Sequence, residues 1–410
     1  MRGILKFEKM RNTFLGKRDN KNSILKKTIL KLCIGAKEIS ISMLSDALST
    51  SIPTVTKLVG ELIDEGFMID LGKHGTSGGR RPSLYGLNPE AGYFIGVDIR
   101  HSHACVAVTD FTGSNIKFQD NIPFKMEPTE EKVHEISVEI RDFCANRDLD
   151  WNKVLGMGIS VPGRVNPDTG YSNIYSFDSD RPINRILSDD LEIPVVIEND
   201  SRAMSYGEYI AGDVDGKKNV IVVNISWGLG MGLVLNGQLY YGASGFSGEI
   251  GHFPLLDNGI ICRCGKVGCL ETGASGSALT RMVTDQLRSG RASSLTPEFR
   301  QSGKVDFNDI LRAIADEDML CIEAVESIGE TLGRGLAGLI NVFNPEVVVI
   351  AGNLATVGGD YLMLPIHSAI RRYAQNIAIG DTKIQFTSLG NLAAPTGVAL
   401  LCRSRLLQVL

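Results

Sequence analysis

The sequence has no long apolar run. The 410 residues contain no uninterrupted apolar stretch of roughly 18 positions, the length that a membrane-spanning helix requires. The N-terminus is also too polar for the apolar core of a secretory signal. We therefore expect a cytoplasmic protein without a membrane partner. The eight cysteines fit a reducing compartment and argue against disulfides.

The charge of the chain is distributed unevenly. Residues 1–90 contain 15 lysines and arginines against 9 acidic residues, whereas the remainder contains 27 against 38. The length predicts two or three domains. A basic module attached to an acidic body indicates that the first part meets a polyanion, although a solvated basic tail would give the same balance.

One short segment concentrates metal-ligand side chains. It contains a single imidazole, His252, and three thiols, Cys262, Cys264 and Cys269. Thiolate and imidazole are the ligands of a closed, four-coordinate zinc site. The alternative is three buried structural thiols, but such thiols have no reason to cluster at ligand spacing. We therefore predict structural zinc as a cofactor.

Two carboxylates, Glu249 and Glu271, bracket this segment. A bound metal would fix the backbone that carries them and direct both towards a shared cleft. Because each carboxylate can accept two hydrogen bonds, the arrangement suits a hydroxyl-rich ligand such as a sugar.

The first ninety residues predict a DNA-binding module. Residues 1–20 are basic and irregular and should form a flexible arm. Helices are expected over 21–33, 41–48 and 54–63, with Pro53 in the first turn of the third. Two strands around a glycine-rich turn should follow. This order is typical of a winged helix-turn-helix over residues 21–90, and the alternative is a small helical protein-interaction module.

Five side chains are the predicted DNA contacts. Thr54, Thr56 and Lys57 should face outward near the start of the third helix, which is the end that a recognition helix presents to bases. Arg80 and Arg81 lie in the glycine-rich wing, where contacts with phosphate or the minor groove are expected.

The rest of the chain predicts an α/β fold. Apolar strands are expected near 93–99, 104–110, 154–161 and 195–197, with a helix over 131–144. The last of these strands delivers Asn199 and Asp200 at its carboxyl end. Polar residues at such an end are well placed to line a ligand crevice.

These motifs resemble the ROK family (repressors, open reading frames and sugar kinases), which has a two-lobed actin-like ATPase fold. The resemblance covers nearly the whole chain and is carried by residues 158–163, 198–200, 249–252 and 262–271. The wing looks like that of the ROK transcriptional regulators, which add a winged helix in front. The resemblance implies a first lobe over residues 91–205 and 385–410, and a second lobe with the zinc knot over residues 206–384.

The resemblance also implies roles for single residues. Asp200 matches the general base of the kinases. The implied sugar contacts are Asn173, Asn199, Asp200, Glu249, His252 and Glu271. The implied zinc ligands are His252, Cys262, Cys264 and Cys269.

Two phosphate-binding loops depart from the family pattern. ROK kinases carry Asp-x-Gly-Gly-Thr after the first strand, whereas this chain continues from Asp98 with Ile99, Arg100, His101 and Ser102. In the second loop, Trp227 replaces a threonine. Phosphoryl transfer depends on positioning and charge stabilisation around the phosphates, so we expect no kinase activity.

The sequence thus predicts a sugar-responsive transcriptional regulator, in the first place a repressor. It would bind operator DNA as a homodimer or homotetramer and a sugar or sugar derivative in the interlobe cleft. The alternative is an ATP-dependent ROK sugar kinase with an added DNA-binding domain. A third interpretation is a regulator controlled by a protein partner, without a small ligand.

Overall fold

The computed structural model describes residues 21–73, 82–100, 103–173, 181–214 and 216–408. The chain divides into two compact units. The first consists of Met1–Glu198 and Val398–Leu410, and the second of Asn199–Gly397. Within the described ranges, no helix combines the length and the apolarity needed to cross a membrane.

The first unit begins with a helical module. Its helices are α1 (Lys21–Ala36), α2 (Ile41–Leu48) and α3 (Ile52–Asp64). Its strands are β1 (Ile39–Ser40), β2 (Met68–Lys73) and β3 (Ser83–Leu87), which pair in the order β1-β3-β2 in the described residues. Ser40 caps α2, because its side chain accepts a hydrogen bond from the Met43 backbone N–H. The predicted helices are confirmed, with ends that differ by a few residues.

The larger sheet of the first unit has the order β10-β7-β4-β5-β6 in the described residues. Its strands are β4 (Tyr93–Ile99), β5 (His103–Asp110), β6 (Asn115–Pro123), β7 (Val154–Val161) and β10 (Val195–Asn199). A short hairpin, β8 (Val165–Asn166) with β9 (Tyr171–Ser172), follows β7. Apolar residues of α4 (Glu130–Ala145) and α5 (Ile183–Leu191) share a core with this sheet.

A separate hydrophobic core joins the helical module to the sheet. Leu30 of α1 and Leu58 of α3 belong to the same buried cluster as Phe94 of β4. The cluster also includes residues near the C-terminus, among them Cys402 and Leu406 of α13 (Ala393–Leu406). The helical module therefore shares a hydrophobic core with the rest of the first unit.

The second unit is built on a sheet with the order β13-β12-β11-β14-β15 in the described residues. Its strands are β11 (Val220–Ile225), β12 (Leu229–Leu235), β13 (Gln238–Leu239), β14 (Val347–Ala351) and β15 (Lys383–Phe386). Strands β11 and β12 form an antiparallel hairpin, and β14 runs parallel to β11.

Helices surround this second sheet. They are α6 (Asp200–Ala211), α7 (Gly276–Arg288), α8 (Thr296–Ser302), α9 (Phe307–Ala315), α10 (Met319–Phe343), α11 (Asn353–Tyr373) and α12 (Asn376–Asp381). The longest of these helices, α10, contributes Val325, Ile328 and Leu332 to the buried core. This core holds the sheet in a fixed position, so the loops at its edge can carry a defined site.

Candidate functional site

Four metal-ligand side chains come together in the second unit. His252, Cys262, Cys264 and Cys269 each offer one ligand atom, and these atoms all lie within 4.8 Å of one another. His252 Nδ1 lies 3.6 Å from Cys262 Sγ, and Cys264 Sγ lies 3.6 Å from Cys269 Sγ. Zinc–sulfur bonds of ~2.3 Å in a tetrahedron place two sulfurs about 3.8 Å apart. The cluster therefore fits one four-coordinate metal ion.

Backbone pairing sets the positions of these ligands. Ile261 and Val267 form an isolated antiparallel bridge on either side of the turn that carries the first two cysteines. Pro254 and Cys269 form a second bridge. The Lys266 backbone N–H lowers the pKa of the Cys264 thiol, and the thiolate is the form that binds metal.

His252 also faces a carboxylate. It ends the 3₁₀ turn Ile250–His252, and Glu249 directly precedes that turn. His252 Nε2 lies 3.6 Å from Glu249 Oε2, on the opposite side of the ring from the nitrogen that faces Cys262. A metal-bound histidine commonly directs its second nitrogen to a carboxylate, which fixes the ring orientation. His252 thus links the metal cluster to Glu249.

Glu271 is held firmly beside the same cluster. It lies in the 3₁₀ turn Leu270–Thr272, and only 6% of the residue is exposed. Its Oε2 accepts a hydrogen bond of 3.0 Å from the Leu229 backbone N–H. Its Oε1 lies 3.3 Å from a guanidinium nitrogen of Arg263. A buried carboxylate with fixed partners is a preorganised acceptor.

Asn199 and Asp200 stand where β10 passes into α6. The Asn199 side chain caps the helix by accepting a hydrogen bond of 3.0 Å from the Arg202 backbone N–H. Its Nδ2 also donates to Asp200 Oδ1 at 2.8 Å, and the Ser201 backbone N–H donates to the same oxygen at 2.7 Å. These two bonds fix the orientation of the Asp200 side chain at the start of the helix.

The start of β12 is the point where these groups meet. A side chain at Gly230 would overlap with Ser201, the neighbour of Asp200, so α6 approaches β12 closely here. A side chain at Gly251 would overlap with the carbonyl of Leu229. Leu229 also holds Glu271. Three parts of the predicted sugar site, namely the start of α6, the turn at Gly251 and Glu271, therefore contact Leu229 or Gly230. The family resemblance assigned this stretch to a phosphate loop. It did not predict that Leu229 and Gly230 form a common support, in contact with all three parts of the predicted sugar site.

Asn173 lies in the first unit, directly after β9. Its Oδ1 accepts a hydrogen bond of 2.6 Å from the Arg164 backbone N–H, and its own backbone N–H donates to the Arg164 carbonyl. These contacts fix the loop between β7 and β8. Its predicted role in sugar binding stays a prediction.

Asp98, at the end of β4, has internal partners. Ser160 Oγ donates a hydrogen bond of 2.8 Å to Oδ1, and Arg100 Nε donates one of 2.8 Å to Oδ2. Only 3% of Asp98 is exposed. Arg100 thus supplies a positive charge to a carboxylate that lies before the altered first loop. The remaining loop residues, His101 and Ser102, lie outside the described residues.

A second group of possible ligands lies on the same sheet. His103 and Cys105 on β5 and Asp120 on β6 bring their ligand atoms within 4.8 Å of one another. However, Cys105 Sγ lies only 2.7 Å from Asp120 Oδ1, which is shorter than the separation of two ligands around one zinc ion. This geometry describes a hydrogen bond, and it fits a metal less well than the first cluster.

The predicted DNA-contacting helix is exposed at its start. Thr56 is exposed, Thr54 is half-buried, and 71% of the Lys57 side chain is accessible. Ile52, which the sequence did not single out, is also 55% exposed in the first turn of α3. Arg80 and Arg81 lie outside the described residues.

Two α/β units with a Cys/His knuckle between β12 and α7 define a protein of the actin-like ATPase fold class. The ROK family model matches residues 94–405, and the chain belongs to the ROK family. That match includes the larger sheet of the first unit from Phe94 onward, the five-stranded sheet of the second unit and the whole metal cluster.

Transcriptional regulators are similar to this chain over most of its length. The xylose repressor of Caldicellulosiruptor bescii is 28% identical over 395 residues, which cover 94% of this chain and 96% of the relative. NagC, a DNA-binding transcriptional dual regulator of Escherichia coli, is 27% identical and covers 87% of both chains. A solved ROK transcriptional regulator, a homologue of the E. coli MLC protein, covers 95% of this chain with a TM-score of 0.78 and 26% identity.

Sugar kinases are also similar to part of the chain. The ROK glucokinase of Streptomyces griseus, solved with glucose and AMPPNP, is 26% identical with a TM-score of 0.62. It is covered completely but matches 76% of this chain. The extra length of this chain relative to the kinase is thus shared with the regulators.

Proposed function

We propose that the protein is a sugar-responsive transcriptional repressor with structural zinc. The observation that carries the proposal is the similarity to a xylose repressor over 94% of the chain. A match of this length includes the N-terminal helices. The repressor would bind operator DNA through residues 21–90 and a sugar or sugar derivative through the second unit.

The DNA-binding part of the proposal rests on α3. A recognition helix places the side chains of its first turns against base edges in the major groove. Thr54 and Thr56 can exchange hydrogen bonds with bases, Lys57 can contact phosphate or guanine, and Ile52 can pack against a thymine methyl group. Arg80 and Arg81 would contact the backbone or the minor groove. A homodimer or homotetramer would present two such helices to a palindromic operator.

The sugar-binding part rests on the groups that meet at β12. Asn199, Asp200, Glu249, His252 and Glu271 together offer several acceptors and two kinds of donor. Zinc at the Cys/His cluster would act only structurally, because all four positions are taken by protein ligands. It would hold His252 and Glu271 in place.

Kinase activity is the second candidate, since Asp200 is present and ROK kinases are similar. Three observations disfavour it. Arg100 pairs with Asp98. By the resemblance to the family pattern, both glycines of the first loop are replaced, and Trp227 stands in place of a threonine in the second. Catalysis of phosphoryl transfer requires an open, preorganised phosphate site.

Fluorescence anisotropy separates the candidates. Purified protein would be titrated into labelled DNA from upstream of its own gene, with non-specific competitor DNA and a panel of sugars. Specific binding that one sugar weakens supports the repressor, and binding that no sugar alters favours control by a protein partner. Sugar-dependent ADP release that Asp200→Asn abolishes would instead establish the kinase.

A further inference from the structure

Trp227 lies two residues before Leu229 in the chain, and the Leu229 backbone N–H holds Glu271 of the proposed sugar site. The residue between Trp227 and Leu229 is Gly228, where an added Cβ would lie 2.9 Å from Glu271 Oε2 and 3.3 Å from Arg263. Leu229 in turn donates its N–H to Glu271. The backbone that carries Trp227 is therefore in contact with the carboxylate proposed to bind sugar.

The loop around Trp227 is fixed. The Ser277 backbone N–H donates to the Trp227 carbonyl at 2.9 Å, and the Gly276 N–H donates to the Ser226 carbonyl at 2.8 Å. Both donors belong to the first turn of α7. The Trp227 ring meets the Phe307 ring edge to face, with centroids 5.9 Å apart and an interplanar angle of 69°. Phe307 is buried in the core of the second unit.

The fixed residue is nevertheless 37% exposed. A tryptophan that only filled space would be expected to bury its large apolar surface. An anchored, accessible indole whose backbone is continuous with the loop that holds Glu271 is the kind of aromatic side chain that lines ligand pockets. Such a ring can stack on the face of a pyranose that carries C–H groups, and this leaves the hydroxyls free for polar partners.

The polar groups of the site are already sufficient for one sugar ring. Asn199, Asp200, Glu249, His252 and Glu271 can satisfy the hydroxyls of a single monosaccharide. Building on the proposed sugar-binding function, we propose that the effector is a glycoside of at least two rings. The first ring is bound by the polar set, and the second stacks on Trp227.

The chain offers a direct optical test, because Trp151 and Trp227 are its two tryptophans. Trp151 lies in the first unit, beneath the guanidinium of Arg141. Trp151→Phe leaves Trp227 as the single reporter. This variant would be titrated with glucose, xylose and N-acetylglucosamine, and with the β-1,4-linked dimers cellobiose, xylobiose and chitobiose. One dimer should change the Trp227 emission and bind about tenfold more tightly than its monosaccharide.

Calorimetry with three variants then assigns the effect. Trp227→Ala should abolish the preference for the dimer and leave the monosaccharide affinity unchanged, whereas Trp227→Phe should retain part of the preference. Phe246→Ala is the matched control, because Phe246 is also 37% exposed in the second unit, and it should bind like the parent protein.

Two results would overturn the inference alone. In one, no dimer binds more tightly than its monosaccharide. In the other, Trp227→Ala weakens both ligands equally, which would give the ring a purely structural role. If no sugar of either length binds, the proposed sugar-binding function fails together with this inference.

Discussion

The ring of Phe67 packs against the ring of Phe111, with centroids 5.7 Å apart and an interplanar angle of 34°. Phe67 follows α3, and Phe111 follows β5 of the larger sheet. Both rings are almost completely buried. Lys27 Nζ adds a hydrogen bond of 2.6 Å to Gln408 Oε1 near the C-terminus. The proposed DNA-binding helices are therefore coupled to the sheet by packing, so a movement of the sheet would carry α3 with it.

We predict that Phe111→Ala destabilises the helical module and the sheet together. Removing a buried phenylalanine costs about 3–5 kcal/mol of unfolding free energy. Urea denaturation followed by circular dichroism would measure this loss, and anisotropy would show weaker operator binding in parallel. Val138→Ala is the control, because Val138 is 59% exposed on α4 and should change stability by less than about 0.5 kcal/mol. Normal operator binding by Phe111→Ala would contradict the shared core.

The metal prediction concerns one zinc ion per chain. Plasma emission spectroscopy on dialysed protein should find about one equivalent, and Cys264→Ala should lose it because a closed site needs all four ligands. Cys105→Ala is the control, since Cys105 belongs to the second group of possible ligands and should retain the ion. Two equivalents of zinc, one of them lost in Cys105→Ala, would show that the second group binds metal despite its short sulfur–oxygen contact.

We predict that mutation can separate the roles of the two His252 ring nitrogens, one of which faces Cys262 and the other Glu249. Glu249→Gln keeps the size of the side chain but removes the charge that faces His252 Nε2. We expect it to weaken sugar binding at least tenfold, by about 1.4 kcal/mol or more, and to keep zinc. His252→Ala should lose both zinc and sugar. Calorimetry and metal analysis of the same preparations would test this, and loss of zinc from Glu249→Gln would show that the carboxylate is required for the metal site.

The sequence located the four candidate metal ligands that the fold brings together, because their spacing is local and their chemistry is distinctive. Asn199 and Asp200 could also be placed, since a short apolar strand ends at them. The common support at Leu229 and Gly230 could not be predicted, because it depends on contacts between residues far apart in the chain. From the sequence, Trp227 was interpreted only as the replacement of a threonine. Its exposure and its contact with the Phe307 ring could not be predicted, because both are properties of the folded unit.

Asp318 gives a prediction for the pH dependence of stability. It caps α10, with Oδ1 accepting from the Cys321 N–H and Oδ2 accepting from the Ser294 N–H. Burial alone would raise the pKa of Asp318, but these bonds and those from the Ser293 and Ser294 hydroxyls lower the pKa to about 2. A carboxyl with a depressed folded-state pKa stabilises the fold above its unfolded pKa of about 3.9, and this contribution is lost as pH falls towards 2.

Asp318→Ala should therefore lower the unfolding free energy by about 1 kcal/mol at pH 7, as expected for loss of a helix cap. The difference from the parent protein should shrink between about pH 4 and pH 2. Urea denaturation at a series of pH values would measure it. Asp360→Ala, at an exposed position within α11, should change stability by less than about 0.5 kcal/mol. A difference at pH 7 that persists unchanged at pH 2 would assign the effect to packing instead of charge.

Lys57 tests the DNA interface most directly. Its side chain is 71% exposed, and its Nζ lies 3.9 Å from Glu61 Oε1, a separation that holds it only weakly. If Lys57 neutralises one phosphate, Lys57→Ala should reduce the slope of log affinity against log salt by about 1. If it reads guanine, the same variant should relax specificity at one base pair and cost about 1–3 kcal/mol there. Lys31→Ala is the control, because it removes the same charge from an exposed position on α1. An equal loss of operator affinity in this variant would mean that only overall charge matters, and it would contradict the proposal that α3 is the recognition helix.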